Sequence, residues 1–491
     1  MIRSIASLSL AALAAGAALA DPAGHYAEHC AACHGDGRLG GTGPALIPET
    51  LGRMRGPDLA AVIAAGRDAT QMPGFSDLLA EAEIAALAAW LETPLAAIPP
   101  WGAAEIEASR TLDPLYDPAD GPVFTADPLN LFVVVETGDH HVSVLDGDRF
   151  EVLDRFATPF AVHGGPKFSP DGRFVYVMSR DGWVQKYDLW TLAEVGRVRA
   201  GLNSRNIAIS HDGRWLAVAN YLPETLTLLA AEDLSVARVL DVSALDGTPS
   251  RVSAVYQAPE RESFILALRD APEIWEVATG GAVPFALRRI AVDEPIDDFF
   301  FTPDYRHLIG ASRSGDRGVV VDIDAGAETA ELPLPGMPHL GSGISWLRDG
   351  RRVMATPHLR EARLSEIDTE TWEVVDRIET AGPGFFLRSH ETSPHVWADA
   401  FLGEARDTMH VIDKETLEIV ANLTPEPGAT AAHVEFDRSG RHALVSIWEE
   451  DGAIVVYDAA TLAEVKRLPM RKPSGKYNVW NKITFSDGTS H

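Results

Sequence analysis

Two cysteines and a histidine form the most specific chemical pattern in the sequence. The chain contains only two cysteines, Cys30 and Cys33, and His34 directly follows the second. In this C-x-x-C-H spacing two thiols add to the vinyl groups of a haem, and the adjacent imidazole binds its iron. A zinc site would need further ligand pairs, and a thioredoxin-like dithiol would not need the histidine. The pattern therefore predicts one covalently attached haem c with His34 as an iron ligand.

The residues after this pattern carry two further candidates for holding the haem. The carbonyl of Pro44 is predicted to accept the proton of the second ring nitrogen of His34 and so fix its tautomer. Met72 opens a Met-Pro-Gly-Phe loop and is predicted as the sixth iron ligand. Apolar residues over 78–91 follow a helical period and predict a helix that packs on the haem. The alternative sixth ligands are Met54, His25 and His29.

The N-terminus has the pattern of an export signal. Arg3 precedes an apolar run over 5–17 and a small-x-small sequence over 18–20, which together predict a secretory signal cleaved after Ala20. The apolar run is shorter than the roughly 20 residues that span a bilayer. We therefore expect a soluble mature protein in the periplasm.

Composition and charge exclude several classes of protein. The 491 residues include 42 basic and 71 acidic side chains, for a formal net charge of −29, and 46% of the residues are hydrophobic. This composition is that of a folded globular protein. The negative charge disfavours binding to nucleic acid or to an anionic membrane. Two cysteines cannot make a disulfide-rich scaffold.

Beyond residue 120 the sequence repeats a turn followed by an apolar strand. The pattern Ser-Pro-Asp-Gly-Arg at 169–173 recurs closely at 210–214. Looser copies lie at 302–306, 348–351 and 437–441. Short strands in units of roughly 40 to 50 residues predict a β-propeller. We count eight blades, or seven if the weak unit near Pro259 is an insertion. The predicted units begin near Pro128, Ser169, Ser210, Pro259, Thr302, Arg348, Ser393 and Asp437.

The chain is thus predicted to fold as a small all-α cytochrome c domain followed by a large all-β eight-bladed propeller. Prolines over 93–101 block regular pairing and predict a semi-rigid linker between the two. The predicted boundaries are 1–20 for the signal peptide, 21–95 for the cytochrome c domain, 96–120 for the linker and 121–491 for the propeller.

Function in a propeller resides in polar residues that face the central axis from several blades. His163, His339 and His433 occupy the same position in their units, immediately before a first strand, and this position points toward the axis. Taken singly, each is more often a structural histidine than a ligand, but the shared position favours a ligand site. Arg180 and Arg205 lie near strand ends, where they would either bind a ligand with several carboxylates or balance charge at the surface.

The order of these motifs resembles the haem d1 proteins, the family of cytochrome cd1 nitrite reductase and its paralogue, dihydrohaem d1 dehydrogenase. An exported chain with one c-type haem domain and an eight-bladed propeller has the architecture of this family, and the resemblance covers nearly the whole mature chain. It is most specific at 161–163, 180–182, 187–190, 336–339, 356–359 and 473–479.

The resemblance implies a role for each candidate residue. His163 would be the proximal axial ligand of haem d1, and Arg180 and Arg205 would bind its carboxylates. His339 and His358 would lie on the distal face, where the reductase uses two histidines to deliver protons to nitrite. The implied catalytic residues are His339, Tyr477 and His358.

Two differences from the nitrite reductases favour the dehydrogenase. His34 lies soon after the predicted cleavage site, which leaves little room for the N-terminal arm that many reductases carry. His433 stands where the reductases have no histidine. As a sixth ligand of the haem d1 iron, it would block the position that nitrite needs.

The reaction implied by the resemblance is oxidation of one propionate of dihydrohaem d1 to an acrylate, the last step of haem d1 biosynthesis. Two electrons would leave one at a time through haem c to an external acceptor, and His339 or, second, Tyr477 would take a proton. Nitrite reductase is the implied recipient of the finished haem d1. The alternatives are an active nitrite reductase, a non-enzymatic haem d1 carrier, and another quinone- or metal-dependent propeller dehydrogenase.

Overall fold

The computed structural model describes most of the chain, namely residues 21–41, 43–52, 54–66, 72–159, 162, 165–281, 284–312 and 317–490. The predicted signal peptide over 1–20 and His163 lie outside these residues. A helical N-terminal unit precedes a large ring of β-sheets. In the part of the chain that is described, no helix has the length and apolar character needed to cross a membrane.

The N-terminal unit is built from short helices around one apolar core. These are α1 (Pro22–His29), α2 (Ala31–His34), α3 (Pro48–Leu51), α4 (Pro57–Ala65) and α5 (Glu81–Leu91). Helical spacing of apolar residues gives α5 a buried face of Ile84, Leu87 and Leu91, which joins α1 and α4 in the core. The helix predicted over 78–91 therefore exists, but it begins at Glu81.

The segment predicted as a linker is partly regular. After Pro100 a helix, α6 (Ala103–Ser109), packs Ile106 into the apolar core of the neighbouring sheet, where this side chain is fully buried. A short strand, β1 (Thr111–Leu112), then pairs antiparallel with residues 196–197. Regular structure interrupts the connection over 103–112, because the apolar anchor at Ile106 gives these residues a sheet to pack on.

The ring consists of eight antiparallel sheets, which confirms the eight-bladed propeller and gives the weak unit near Pro259 a complete blade. Blade 1 contains β2 (Phe132–Glu136), β3 (His141–Asp146) and β4 (Glu151–Ala157). Blade 2 contains β5 (Lys167–Phe168), β6 (Phe174–Met178), β7 (Trp183–Asp188) and β8 (Ala193–Arg199). Blade 3 contains β9 (Asn203–Ile209), β10 (Trp215–Leu222), β11 (Thr225–Ala230) and β12 (Val236–Asp241). Blade 4 contains β13 (Val252–Ala258), β14 (Ser263–Leu268), β15 (Glu273–Ala278) and β16 (Leu287–Ala291).

The second half of the ring repeats this arrangement. Blade 5 contains β17 (Asp298–Phe301), β18 (His307–Ala311), β19 (Gly318–Asp322) and β20 (Ala327–Leu332). Blade 6 contains β21 (Ile344–Arg348), β22 (Arg351–Pro357), β23 (Arg363–Asp368) and β24 (Glu373–Glu379). Blade 7 contains β25 (Leu387–Arg388), β26 (His395–Asp399), β27 (Met409–Asp413) and β28 (Ile419–Leu423). Blade 8 contains β29 (Ala431–Phe436), β30 (His442–Ile447), β31 (Gly452–Asp458) and β32 (Glu464–Met470).

The ring closes by joining distant parts of the chain. A last strand, β33 (Pro473–Asn478), pairs antiparallel with β2, so that Val133 stands opposite Tyr477. It becomes the innermost strand of blade 1, and a helix, α7 (Val479–Thr484), follows it. The innermost strands of the other blades are β5, β9, β13, β17, β21, β25 and β29. Contacts between neighbouring inner strands join β5, β9, β13 and β17 on one side of the ring and β25, β29 and β33 on the other.

The repeated turn lies between the innermost and second strands of a blade. In blade 2 the Ser169 hydroxyl accepts the Phe174 N–H at 2.9 Å, and Gly172 has a φ of +72°, a conformation that favours glycine. Each blade therefore begins one strand before the turn that marks it. For this reason His433 lies within β29, whereas the turn spacing predicts a position before the first strand.

The helical unit packs on the ring beside blades 2 and 3. Ile47 of the helical unit and Leu202 of the ring are fully buried in one apolar cluster. Arg199 Nη2 donates to the Leu39 carbonyl at 2.6 Å, and Trp101 Nε1 donates to the Arg199 carbonyl at 3.0 Å. Apolar burial and these hydrogen bonds fix the N-terminal unit close to the start of β9.

Candidate functional site

The two cysteines and His34 lie on one helical turn. Cys30 precedes α2 and is buried, whereas Cys33 lies within α2 and is exposed, and both are free thiols. His34 Nδ1 donates to the Pro44 carbonyl at 2.7 Å, as predicted, which leaves Nε2 with its lone pair for a metal. A Cβ on Gly43 would lie 2.8 Å from the His34 ring, so the loop needs glycine there. These donors fit a covalently attached haem.

Burial sets the protonation of this donor set. It lowers the pKa of His34, although the hydrogen bond to Pro44 acts in the opposite direction, and the imidazole is therefore neutral at pH 7. It raises the pKa of the Cys30 thiol to about 11. The Cys30 thiol is therefore protonated at pH 7.

Met72 lies on a loop that packs closely against the end of α4. A Cβ on Gly66 would lie 2.7 Å from the Met72 carbonyl oxygen, so the loop and the helix approach through glycine. Phe75 in the same loop is buried, with its ring centre 5.9 Å from that of His29. Because 67–71 lie outside the described residues, the assignment of Met72 as the sixth ligand stays a prediction.

Arg180 and Arg205 converge on Tyr221 beside the inner strands of blades 2 and 3. The Arg180 guanidinium lies 5.4 Å from the centre of the Tyr221 ring. For Arg205, burial acts to lower the pKa, but Tyr221 and Asp298 act against it and the net pKa is raised. The structure therefore brings the two predicted arginines together as cations.

Further basic side chains line the interior of the ring, and of these Lys476 lies in a stretch, 473–479, that carries the family resemblance. Burial lowers the pKa of Lys167 to about 8 and lowers those of Lys476 and Lys482 well below the ordinary value for lysine. Arg388 Nε lies 4.0 Å from Glu435 Oε2, and both atoms are buried without a hydrogen-bond partner among the described residues. Because burial disfavours the charged forms of these side chains, a ligand with several carboxylates would stabilise them, and the interior fits such a ligand.

His339 is held so that one ring nitrogen is available to a substrate. Its Nδ1 donates to the Phe385 carbonyl at 2.8 Å, and its ring packs on the Phe385 ring at 4.3 Å. The lone pair is then on Nε2, which lies 3.7 Å from Asp298 Oδ2. With Nδ1 held by a backbone carbonyl, the imidazole has the tautomer in which Nε2 can accept a proton as a general base.

His358 is engaged by the protein on both ring nitrogens. Nδ1 lies 2.5 Å from the Pro335 carbonyl and Nε2 lies 2.8 Å from Ser365 Oγ, and the side chain is fully buried. The backbone of His358 also forms a bridge with Pro338, next to His339. These contacts favour a positioning role for His358 behind the loop that carries His339, and its place on the distal face stays a prediction.

A bulge in β29 sets the direction of the His433 side chain. The pairing of β29 with β30 shifts between Ala432 and Val434, and His433 has a φ of +47°. Such a bulge re-aims a side chain, and a positive φ in a non-glycine residue must be held by its surroundings. The His433 ring contacts the Phe386 ring at 4.7 Å and the Tyr477 ring at 5.4 Å. Burial and the neighbouring cations hold its pKa well below the ordinary value.

Tyr477 contacts His433 and also lies close to Gly165. A Cβ on Gly165 would lie 3.2 Å from Tyr477 Cε1, and Val162 forms a bridge with Ser179, next to Arg180. His163 itself lies outside the described residues, and its assignment as proximal ligand stays a prediction. Burial raises the pKa of Tyr477 to about 12, so the phenol keeps its proton and can donate it to a hydrogen bond.

Two carboxylates of the site escape sequence reasoning. Asp298 Oδ2 accepts the Gly341 N–H at 2.7 Å, next to His339. Asp399 is fully buried and accepts the His433 N–H at 3.1 Å, and burial raises its pKa to about 6. Neither belongs to a repeated motif. The only hint in the sequence is that each stands at one end of an apolar strand, where a carboxylate would be unexpected.

Comparison with known proteins supports this division into two sites. Residues 126–482 match the family described as "Cytochrome D1 heme domain". Residues 17–91 match the family described as "Cytochrome C oxidase, cbb3-type, subunit III". The two matches coincide with the propeller and with the helical unit.

Individual relatives match over most of the chain. The chain is 56% identical over 467 residues to "Dihydro-heme d1 dehydrogenase" of Pseudomonas aeruginosa, covering 95% of each protein. It is 30% identical over 378 residues to "Protein NirF" of the same organism, covering 74% of this chain and 92% of the relative. The solved structure "Dihydro-heme d1 dehydrogenase NirN in complex with DHE" has a TM-score of 0.91 and 55% identity, covering 94% of this chain and 100% of that one. The chain therefore belongs to the cytochrome D1 heme domain family.

Proposed function

We propose that the chain is a dihydrohaem d1 dehydrogenase that oxidises one propionate of its tetrapyrrole substrate to an acrylate. The similarity over the whole chain to proteins named for this activity supports the proposal. The observation that carries it is the placement of His339, with Asp298 beside it, in a ring interior rich in buried cations. A base beside a pocket for carboxylates fits a substrate whose carboxylate-bearing side chain reacts.

The cations bind and orient the substrate. Arg180 and Arg205 take carboxylates from one side of the pocket, because guanidinium groups pair with carboxylates through two hydrogen bonds. This attraction is strong in an interior that excludes water. It also explains how a protein with a net charge of −29 binds a polycarboxylate.

His339 removes a proton from the reacting side chain. Conversion of a –CH2–CH2– unit to –CH=CH– releases two protons and two electrons. The lone pair of His339 Nε2, which lies 3.7 Å from Asp298 Oδ2, takes one proton, and the second proton is released to solvent as the two electrons pass to the one-electron acceptor. Tyr477 keeps its own proton and positions the substrate by donating a hydrogen bond.

The electrons leave toward the helical unit. Cys30, Cys33 and His34 would hold haem c, which supplies a one-electron relay between the pocket and an external acceptor. Arg199 and Leu202 hold the helical unit next to β9, the strand that carries Arg205. This contact keeps haem c close to the pocket, so that the electrons travel a short distance.

The iron of the substrate is held from both faces by histidines, His163 as the proximal ligand and His433 as the distal one. The bulge that turns His433 out of its strand and toward Tyr477 supports this assignment. A second histidine would fill the position that nitrite needs, which favours the dehydrogenase over a nitrite reductase. A carrier that binds the tetrapyrrole without changing it would need no base beside a carboxylate.

The protein is exported to the periplasm, where an acceptor oxidises haem c and nitrite reductase receives the finished haem d1. The export pattern at the N-terminus and the C-x-x-C-H motif support this location, because haem c is attached to exported chains. The excess of acidic residues favours partners with a basic contact surface.

Extraction of the pigment after reaction tests the proposed function. The purified holoprotein is mixed anaerobically with dihydrohaem d1 and a one-electron acceptor, and the extracted pigment is analysed by mass spectrometry. We expect a product that has lost two hydrogen atoms. Recovery of unchanged pigment from a complex that does bind it contradicts the proposal and favours the carrier. Rapid reduction of added nitrite favours the reductase.

A further inference from the structure

One buried carboxylate links the two histidines of the pocket. Asp399 stands at the end of β26 and its side chain is 1% exposed. Its Oδ1 accepts the Phe385 N–H at 2.7 Å and the Phe386 N–H at 3.1 Å, both from the loop before β25. Its Oδ2 accepts the His433 N–H at 3.1 Å, from the bulge in β29. Asp399 therefore joins a loop of blade 7 to a strand of blade 8.

The same loop also holds His339. The carbonyl of Phe385 accepts the His339 Nδ1–H at 2.8 Å. An unbroken chain of hydrogen bonds thus runs from His339 through the Phe385 peptide and the Asp399 carboxylate to the backbone of His433. Ring contacts follow the same path, since Phe385 packs on His339 and Phe386 packs on His433. A shift of Asp399 would move both histidines.

We propose that Asp399 is a positioning residue that fixes the proposed base and the proposed iron ligand relative to each other across the tetrapyrrole. The inference rests on the proposed function for the roles of His339 and His433. The geometry that carries it, two acceptor oxygens shared between two blades, is independent of those roles.

The chemistry of the contacts requires a carboxylate. Three N–H groups from two blades converge on two oxygens, and an amide side chain offers only one oxygen and turns two N–H donors toward the other side. Asparagine would therefore lose either the His433 N–H or both N–H groups of the loop. Because the φ of +47° at His433 is held by its surroundings, loss of this contact lets the bulge relax. Relaxation moves the imidazole away from the iron.

The variant Asp399→Asn tests the inference in the holoprotein. The variant and the wild type are each mixed with dihydrohaem d1, and the absorption and resonance spectra of the complex report whether two histidines bind the iron. We expect the wild type to give a low-spin spectrum and the variant to give a mixture with a high-spin form. We also expect kcat to fall at least about tenfold while KM changes less, because Arg180 and Arg205, which are proposed to bind the carboxylates, are not altered.

A matched control separates positioning from general stability. Asp368 is also 1% exposed and accepts the N–H groups of Glu370 and Thr371 at 2.9 and 3.0 Å, in an outer turn of blade 6. Asp368→Asn should lower the thermal midpoint without changing the spectrum of the complex. Equal spectra for wild type and Asp399→Asn, or equal spectral changes in both variants, would overturn the proposal.

A second variant covers the case in which Asp399→Asn does not fold. Asp399→Glu keeps the charge and both acceptor oxygens but displaces them by one methylene. We expect it to fold and to shift the ligation spectrum by less than asparagine does, and a wild-type spectrum from Asp399→Glu would overturn the proposal. The spectra need binding only. A wild type that binds dihydrohaem d1 without oxidising it would therefore contradict the proposed function and leave the test of Asp399 intact.

Discussion

The two cofactor-binding regions of the molecule are built in opposite ways. Cys30, Cys33, His34 and the Pro44 carbonyl lie within one short segment that a single helical turn and loop bring together. The pocket of the propeller takes Arg205 and His433, with the other side chains, from inner strands and loops that lie far apart in the chain. A contiguous site depends on local geometry, whereas a dispersed site depends on closure of the whole ring. A substitution in one region should therefore leave ligand binding in the other region unchanged.

Removal of both thiols gives the largest expected effect and tests this independence directly. The double variant Cys30→Ala/Cys33→Ala cannot attach haem c, so turnover of dihydrohaem d1 should fall by about a thousandfold because the electrons have no exit. The affinity for dihydrohaem d1, measured by titration of its absorption, should change less than about threefold, since no pocket residue is altered. Loss of tetrapyrrole binding in this variant would show that the two regions are not independent.

Substitution of His339 should be next in magnitude. His339→Ala removes the proposed base and should lower kcat by about a hundredfold with little change in KM, measured by steady-state turnover. His358→Ala is the matched variant, because it leaves the Pro335 carbonyl and Ser365 without partners. Each buried partner left unpaired costs about 1 to 3 kcal/mol, so this variant should lose stability in a denaturation curve while keeping the pH profile of kcat. A larger loss of kcat in His358→Ala would restore its predicted catalytic role.

The variant His433→Ala should have a smaller effect on rate and a clear effect on the spectrum. Loss of one iron ligand should convert the complex with dihydrohaem d1 from low spin to high spin, and added imidazole should restore the low-spin form by filling the space. Turnover should fall by about tenfold, since the base and the cations remain. An unchanged spectrum would show that His433 does not bind the iron.

The smallest expected effect concerns the boundary between the two regions. Asp181 is buried, its carbonyl accepts the Arg199 Nε–H, and burial raises its pKa to about 6. The folded protein therefore holds this proton more tightly than the unfolded chain. Folding stability should then fall by roughly 2 to 3 kcal/mol as the pH rises from about 4 to above 6.

Asp181→Asn removes the free-energy cost of ionising a buried carboxyl group. The variant should unfold at a higher temperature than the wild type above pH 6, and the difference should vanish near pH 4, as measured by thermal melts at each pH. Asp171→Asn is the control, because Asp171 accepts an analogous hydrogen bond from Ser169 but is exposed. If Asp181→Asn raised the unfolding temperature by the same amount at all pH values, the prediction would be contradicted.

The same contrast explains what can be predicted from the sequence. The hydrogen bond between His34 and Pro44 follows from a local motif, and eight blades follow from a repeat in which each turn contains its own hydrogen bonds. The convergence of Arg180 and Arg205 was predicted, but Tyr221 between them was not. Local sequence patterns indicate which residues share a turn, but they say little about contacts between blades.

The residues that escaped prediction act across blades. Asp399 has partners on two blades, and Asp298 reaches His339 from blade 5 to the start of blade 6. The position of His433 was wrong by one strand, because each blade begins one strand before the turn that marks it, and the bulge that orients its side chain leaves no sign in the apolar pattern. Both nitrogens of His358 are engaged by backbone and hydroxyl groups that no motif marks.

The closing strand β33 gives the pocket an order of assembly. It carries Lys476 and Tyr477, and it completes blade 1 by pairing with β2, from which it is separated by the rest of the ring. Synthesis runs from the N-terminus to the C-terminus, so seven blades can form before the strand that closes the pocket has been made. An unfinished ring has neither its closing strand nor its tyrosine. The pocket is therefore complete only when the last strand of the chain has paired with β2.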